Sequence, residues 1–166
     1  YSNTYGMTGW RLGYAAASGE ARGVIEQMTK LQQYTFVCAP SMVQYAALGT
    51  VAGETGPAAG EGGGAVGADG VDMRPYIDAY RRKRDKVLSA LSDTFEINHP
   101  AGAFYVFPKV PGGITATDFV QRAIDRNVLI IPGNVFSSRD THFRLSYATT
   151  DNKLEEGLAI LRELGG

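Results

Sequence analysis

The segment from residue 52 to 70, AGETGPAAGEGGGAVGADG, divides this chain of 166 residues into two parts of different character. It holds 8 of the 21 glycines, with three acidic residues and no basic one. Such a segment cannot bury enough apolar surface to offset the entropy lost on ordering, and it lacks the lysine of a phosphate-binding P-loop. We therefore predict a flexible linker over 52–70, between an N-terminal part, 1–51, and a C-terminal domain, 71–166.

The overall composition is that of a globular protein, with 44% hydrophobic and 20% charged residues. A net charge of −1 gives no overall field that would attract nucleic acid or a membrane, and no apolar run approaches the roughly 20 residues of a membrane span. Cys38 is the only cysteine, so no internal disulfide can form. This favours a reducing, cytoplasmic location, and we interpret Cys38 as a small buried apolar residue.

In the N-terminal part, the sequence pattern predicts one strand and two helices. The apolar run LGYAAA, 12–17, is typical of a buried strand. Ser18 can cap a helix that continues to about residue 34, and Pro40-Ser41 indicates the start of the second helix. Because these elements do not make a self-sufficient core, we expect further sequence upstream.

The C-terminal domain predicts an α+β fold in which helices and strands alternate. The helices are expected at about 73–91, at 117–127 with Thr117 as its cap, and after TTDN at 149–152. The strands are expected at 95–100, 102–108, 128–133 and 142–148. The basic run RRKR, 81–84, is interpreted as a solvated helix face, with Asp78–Arg82 and Arg81–Asp85 pairs, rather than a nucleic-acid site.

Two arginines are the main candidates for chemistry. Arg11 follows a loop of small and hydroxyl residues, which suits a phosphate, although a surface arginine is the commoner explanation. Arg144 alternates with Phe143 and Leu145, so its side chain points either to solvent or into a cleft where it could bind a carboxylate. His99 and His142 form no metal-ligand pattern, and no Ser-His-acid triad can be assembled.

Several motifs, in order along the chain, are similar to one family. SNTYGMTGWRLGY closely resembles the active-site segment of class I/II aminotransferases (fold type I, pyridoxal phosphate-dependent), usually S-K-T-Y-x-M-T-G-W-R-x-G-Y. The resemblance continues through APSMVQYAAL, GAFYVFP, VLIIPGNVF and FRLSYATTDNKLEEGLAIL. It implies an α/β fold class: the C-terminal end of the large, cofactor-binding domain over 1–51, followed by the α+β small domain over 71–166.

The resemblance also implies roles for individual residues. Arg11 matches the arginine that binds the phosphate of pyridoxal 5'-phosphate, and Ser2 and Thr4 are expected to help shape that site. Arg144 matches the arginine that binds the α-carboxylate of the substrate. Asn3 stands where the family has the lysine that forms the Schiff base and then moves the substrate proton. An amide is neither nucleophilic nor basic, so covalent cofactor attachment is not expected at Asn3.

These implications leave three hypotheses open. The first is the C-terminal part of an aminotransferase that transfers an amino group between an amino acid and a 2-oxo acid, inactive alone because of Asn3 and a homodimer when intact. Asn3 would then be an engineered change, a natural loss or a sequence error. The second is a noncatalytic, aminotransferase-like ligand-binding or sensor module. The third is a partial gene product without function.

Overall fold

The computed structural model describes residues 1–51 and 72–166, and the chain divides into two compact units, Tyr1–Met73 and Arg74–Gly166. The predicted flexible linker over 52–70 lies outside the described residues. Each unit is built from its own local elements.

The first unit contains two helices, α1 (Arg22–Thr35) and α2 (Ser41–Val51). A single 3₁₀ turn, Gly19–Ala21, precedes α1, and Ser18 stands before it without a capping hydrogen bond from its side chain. The predicted cap at Ser18 is therefore wrong. The start of α2 at Ser41, by contrast, is confirmed.

The predicted buried strand at 12–17 is wrong. These residues form no regular secondary structure and are mostly exposed, and they pair with no strand among the described residues. A strand needs a neighbour for its backbone hydrogen bonds, and an apolar run alone does not supply one. The interpretation of Cys38 is also wrong, because its side chain is exposed.

The apolar side chains of the first unit are mostly exposed on the two helices. On α1, Val24, Met28 and Leu31 follow the predicted helical spacing but are 47–66% exposed. On α2, Val43 and Ala47 are buried. The helical period was thus correctly predicted, whereas burial depends on neighbours that a sequence pattern does not reveal.

The second unit packs three helices against a small antiparallel sheet. The helices are α3 (Arg74–Leu91), α4 (Ala116–Asp125) and α5 (Asp151–Gly165). The strands are β1 (Tyr105–Val106), β2 (Ile131–Pro132) and β3 (Phe143–Ser146), in the order β1-β3-β2. Three of the predicted strands therefore exist in shortened form, whereas 95–100 forms no strand.

The core of the second unit lies between the helices and one face of this sheet. Phe143, Leu145 and Tyr147 point into it, which confirms the predicted alternation along β3. Phe119 stacks on Phe143 with ring centroids 5.0 Å apart. From α5 the core receives three buried leucines, Leu154, Leu158 and Leu161. Leucines three and four positions apart share one face of a helix, so α5 buries one side along its length.

The cap of α4 differs from the prediction. Thr115, not Thr117, precedes the helix, and its hydroxyl oxygen accepts a hydrogen bond from the Asp118 N–H at 3.0 Å. Thr117 instead donates its hydroxyl to Asp140 at 2.7 Å. The sequence T-A-T-D offers two threonines, and the one three residues before the acid is the cap.

The basic run on α3 makes local contacts that differ from the predicted pairs. Arg81 pairs with Asp78 at 2.8 Å, and Arg84 pairs with Asp85 at 2.8 Å. Lys83 donates to the Thr149 carbonyl, so this run also links α3 to the start of α5. The choice among neighbouring acids depends on rotamers, which spacing alone does not determine.

None of the helices in the described part of the chain has the length and apolar character needed to cross a membrane.

Candidate functional site

The loop that carries Asn3 is a single turn at the start of the first unit. The Tyr5 N–H donates to the Tyr1 carbonyl at 3.0 Å, and this bond encloses Ser2, Asn3 and Thr4. Asn3 is exposed, and its amide makes no hydrogen bond with any residue that the structure describes. The side chain at position 3 is therefore available to a ligand rather than used by the fold.

Arg11 ends the 3₁₀ turn Thr8–Trp10 in a left-handed backbone conformation, with φ = 54°. This conformation is uncommon outside glycine and is often found at functional sites. The guanidinium is exposed, and its Nη1 donates to the Thr8 carbonyl at 3.1 Å. That bond uses one of five N–H donors, so several remain for an anion.

Aromatic contacts fold the N-terminal segment back on itself. The Tyr1 ring lies 5.8 Å from the Tyr5 ring and 6.1 Å from the Tyr14 ring, measured between centroids. Ser2, Asn3 and Arg11 therefore belong to one closed segment rather than to an open tail. Tyr14 is 82% exposed despite this ring contact.

A shallow cleft of about 460 Å³ lies beside Arg11. Its lining comes from the loop, from the residues before α2 and from α2 itself: Gly6, Gly9, Trp10, Arg11, Phe36, Pro40 and Val43. Arg11 and the backbone of the two glycines are the polar members of this lining, and Trp10, Phe36, Pro40 and Val43 are its apolar members. A phosphate attached to an aromatic ring combines these two chemistries, so the donor set fits such a group.

Arg144 lies on β3 in the second unit and is half-buried. Its guanidinium carbon is 4.6 Å from the centroid of the Tyr105 ring and 4.6 Å from that of Phe136. No Asp or Glu among the described residues forms an ion pair with it. Arg144 is thus held by aromatic faces while its charge has no carboxylate partner in the described part of the chain.

The sequence interpretation missed Tyr105 and Phe136. Tyr105 lies on the strand next to Arg144, and the strand period could have placed both on one face. Phe136 follows the Pro132-Gly133 turn, and its approach to Arg144 depends on how that turn folds. The local sequence pattern does not indicate that Phe136 lies near Arg144.

The chain belongs to a family of enzymes whose fold and motifs it shares. Residues 1–161 match the family described as aminotransferase class I and II, so the chain belongs to that family. Its solved neighbours have the mixed α/β architecture of fold type I, pyridoxal phosphate-dependent aminotransferases. The fold class and the family expected from the sequence are both confirmed.

Individual relatives show how the similarity extends. A probable aspartate aminotransferase of Methanocaldococcus jannaschii is 34% identical over 168 residues, which cover 99% of this chain and 41% of the relative. From the same organism, a (5-formylfuran-3-yl)methyl phosphate transaminase is 34% identical, with 98% and 40% covered. The crystal structure of aspartate aminotransferase from Thermotoga maritima superposes with a TM-score of 0.74 at 28% identity, covering 98% of this chain and 37% of that one. The chain thus spans about two fifths of the length of the curated relatives it matches.

Proposed function

We propose that the chain is the C-terminal part of a pyridoxal phosphate-dependent aminotransferase that transfers an amino group between an amino acid and a 2-oxo acid. The first unit would be the end of the large, cofactor-binding domain, and the second unit the small domain. The observation that carries this proposal is the exposed guanidinium of Arg11, which has unused donors. Arg11 lies in the part of the chain that matches the aminotransferase family.

Arg11, with Ser2 beside position 3, would hold the cofactor phosphate. The donors that Arg11 does not use on Thr8 suit a doubly charged anion, and the cleft beside it has apolar walls for a ring. Pyridoxal phosphate, when bound, supplies an electron-withdrawing ring that stabilises negative charge on a substrate carbon. The protein contributes orientation and charge.

Asn3 would occupy the position of the catalytic lysine. The exposed amide has no partner among the described residues, so a longer basic side chain could take its place without breaking a local contact. The amide itself neither bonds covalently to an aldehyde nor accepts the substrate proton at neutral pH. We therefore expect the chain with Asn3 to bind the cofactor reversibly and to show no turnover.

Arg144 would bind the α-carboxylate of the amino acid. A carboxylate accepts two parallel hydrogen bonds from a guanidinium, and this pair is stronger than one between neutral groups. The relatives act on chemically different substrates according to their names, so we assign no side-chain preference to this chain.

We also propose that the intact protein is a homodimer. Leu31, Tyr34, Met42 and Tyr45 are exposed apolar residues on α1 and α2, and another protein surface, from the rest of the large domain or from a partner subunit, would bury them. The mass of the intact protein in solution, measured by light scattering, checks this: two subunits are expected, and a monomer would contradict it.

A noncatalytic sensor is the second candidate function. The observation that favours it is the combination of Asn3 with two arginines that retain donors for anions. A sensor needs those contacts but no proton transfer. Its expected property is reversible amino-acid binding without chemical change.

Cofactor dialysis combined with a turnover assay tests the proposal. The chain and its Asn3→Lys variant are each incubated with pyridoxal phosphate, dialysed, and assayed with an amino acid and a 2-oxo acid. We expect the variant to retain cofactor and the natural chain to lose it without turnover. Turnover by the natural chain would contradict the assignment of Asn3, whereas saturable amino-acid binding without turnover, even after Asn3→Lys, would favour the sensor.

A further inference from the structure

We propose that Tyr105 and Phe136 are positioning residues, which hold the Arg144 guanidinium in the orientation needed to bind a carboxylate. This inference rests on the carboxylate role proposed for Arg144. We call the pair the aromatic clamp. The two rings contact the guanidinium at equal distances, 4.6 Å from its carbon to each centroid.

The first half of the clamp follows from the register of the sheet. Val106 pairs with Leu145, and both are buried in the core. Their sequence neighbours Tyr105 and Arg144 must therefore point to the opposite face of the sheet. Tyr105 pairs directly with Ser146, so Arg144 is its diagonal neighbour, within reach of long and aromatic side chains.

The second half of the clamp depends on a turn. Phe136 closes the 3₁₀ turn Gly133–Val135 by donating its N–H to the Gly133 carbonyl at 2.9 Å. The Gly133 N–H in turn donates to the His142 carbonyl at 2.6 Å, which fixes the turn next to β3. Phe136 is therefore placed over Arg144 by backbone hydrogen bonds rather than by core packing.

A second layer of rings contacts Phe136. The rings of Phe136 and Phe107 are nearly perpendicular, at an interplanar angle of 73°, with centroids 6.4 Å apart. Phe107 stacks on the His142 ring at 5.3 Å with an interplanar angle of 6°. His142, which suggested no function in the sequence, thus belongs to the support of the clamp.

The chemistry of the contact leaves the guanidinium able to bind an anion. Ring faces attract the cation through their quadrupole, and they accept no conventional hydrogen bond from its N–H groups. The N–H donors point outward in the guanidinium plane, where a carboxylate can take two of them. No acidic side chain among the described residues pairs with Arg144. The N–H donors of its guanidinium therefore remain available to a ligand while the aromatic clamp holds the group.

Arginine side-chain NMR on the complete chain tests this. The Arg144 Nε–Hε signal is followed while acetate replaces chloride at constant ionic strength, in the natural chain and in Phe136→Leu, Tyr105→Leu, Phe136→Tyr and Arg144→Gln. Tyr76→Leu is the matched control, because Tyr76 is 61% exposed and no ring contact joins it to Arg144. Amide spectra establish that each variant is folded.

We expect a saturable shift of the Arg144 Nε–Hε signal, which is assigned by its absence from the spectrum of Arg144→Gln. Loss of either ring should weaken the apparent acetate affinity about fivefold, which corresponds to about 1 kcal/mol. It should also speed exchange of the Hε proton, whereas Phe136→Tyr and Tyr76→Leu retain the natural behaviour. Unchanged affinity and exchange in both leucine variants would overturn the clamp while leaving the carboxylate role intact. Absence of any saturable shift in the natural chain would overturn the carboxylate role itself, and the clamp with it.

Discussion

The Gly133 amide nitrogen lies 2.6 Å from the His142 carbonyl oxygen, and this hydrogen bond joins the turn that carries Phe136 to the strand that carries Arg144. A Cβ atom built on Gly133 would lie 2.6 Å from that same oxygen and 3.0 Å from Phe107 Cζ. Only glycine allows this approach without a shift of the backbone.

Gly133→Ala is therefore expected to destabilise the second unit by about 1–3 kcal/mol, because its methyl group meets a backbone atom that cannot rotate away. Urea unfolding followed by circular dichroism measures the change. Gly157→Ala on α5 is the matched control, since nothing lies within 4 Å of the added Cβ. It should stabilise the helix by roughly 0.5–1 kcal/mol. Equal effects of the two substitutions would contradict this account of the turn.

A substitution in the aromatic core of the second unit should lower the unfolding free energy more than Gly133→Ala does. Phe119 is fully buried and contacts the rings of Phe95 and Phe143, with centroids 5.7 and 5.0 Å away. Phe119→Ala should cost about 3–5 kcal/mol, through lost burial and the cavity that remains. Leu129→Ala, at a position 86% exposed, should change the unfolding free energy by less than about 0.5 kcal/mol. A cost at Phe119 as small as that at Leu129 would show that this core is not packed as described.

Tyr147 should make the stability of the folded chain depend on pH in the alkaline range. Its hydroxyl donates to the Ala103 carbonyl at 3.0 Å, and burial raises its pKa above the usual value of about 10. Tyr147→Phe should cost about 1 kcal/mol at neutral pH through loss of the hydrogen bond. Because the folded pKa is the higher one, stability from the tyrosine is complete below about pH 10 and is lost as pH rises through the folded pKa.

The measurement is the unfolding free energy of both proteins from neutral to alkaline pH. The advantage of the natural chain over Tyr147→Phe should shrink above about pH 10, since the unfolded chain ionises first. Tyr76→Phe, at an exposed tyrosine, is the matched control for the loss of a tyrosine hydroxyl. An advantage that grew with pH would mean that the folded protein favours the phenolate.

We expect the first unit to bind phosphate through Arg11. Arg11→Gln should weaken the binding of inorganic phosphate and of pyridoxal phosphate by about 10- to 150-fold, because charge-assisted hydrogen bonds contribute about 1.5–3 kcal/mol. Titration calorimetry measures both ligands. Arg22→Gln, at another exposed arginine of the same unit, is the control and should bind normally. Equal loss in both variants would indicate general attraction between charges instead of a site.

Much of the fold could be predicted from local patterns. The helix from Ser41 and the inward alternation of Phe143, Leu145 and Tyr147 follow from capping and from period two, which are properties of neighbouring residues. The strand predicted at 12–17 failed because strand formation requires a partner. Sequence alone shows whether a segment is apolar, and not whether another strand lies beside it.

The sequence indicated the candidate arginines but not the side chains that contact them. Arg11 and Arg144 stand out as candidates because each lies in a motif that resembles the family, and their roles remain predictions. The contacts of Arg144 with Tyr105 and Phe136 could not be predicted, because the register of β1 and the path of the turn bring these rings to it. Charge pairs on α3 also differed from prediction, since Arg81 reaches Asp78 rather than Asp85.

The proposal made for residue 3 is that it is the lysine position of an aminotransferase, in the same closed N-terminal segment as Arg11. Its most direct test is peptide mass spectrometry of the Asn3→Lys variant after incubation with pyridoxal phosphate and reduction with borohydride. We expect the reduced cofactor on residue 3 in clear preference to Lys30, an exposed lysine of the same unit, and we expect Arg11→Gln to remove that preference. Labelling of residue 3 no greater than that of Lys30 would contradict the claim.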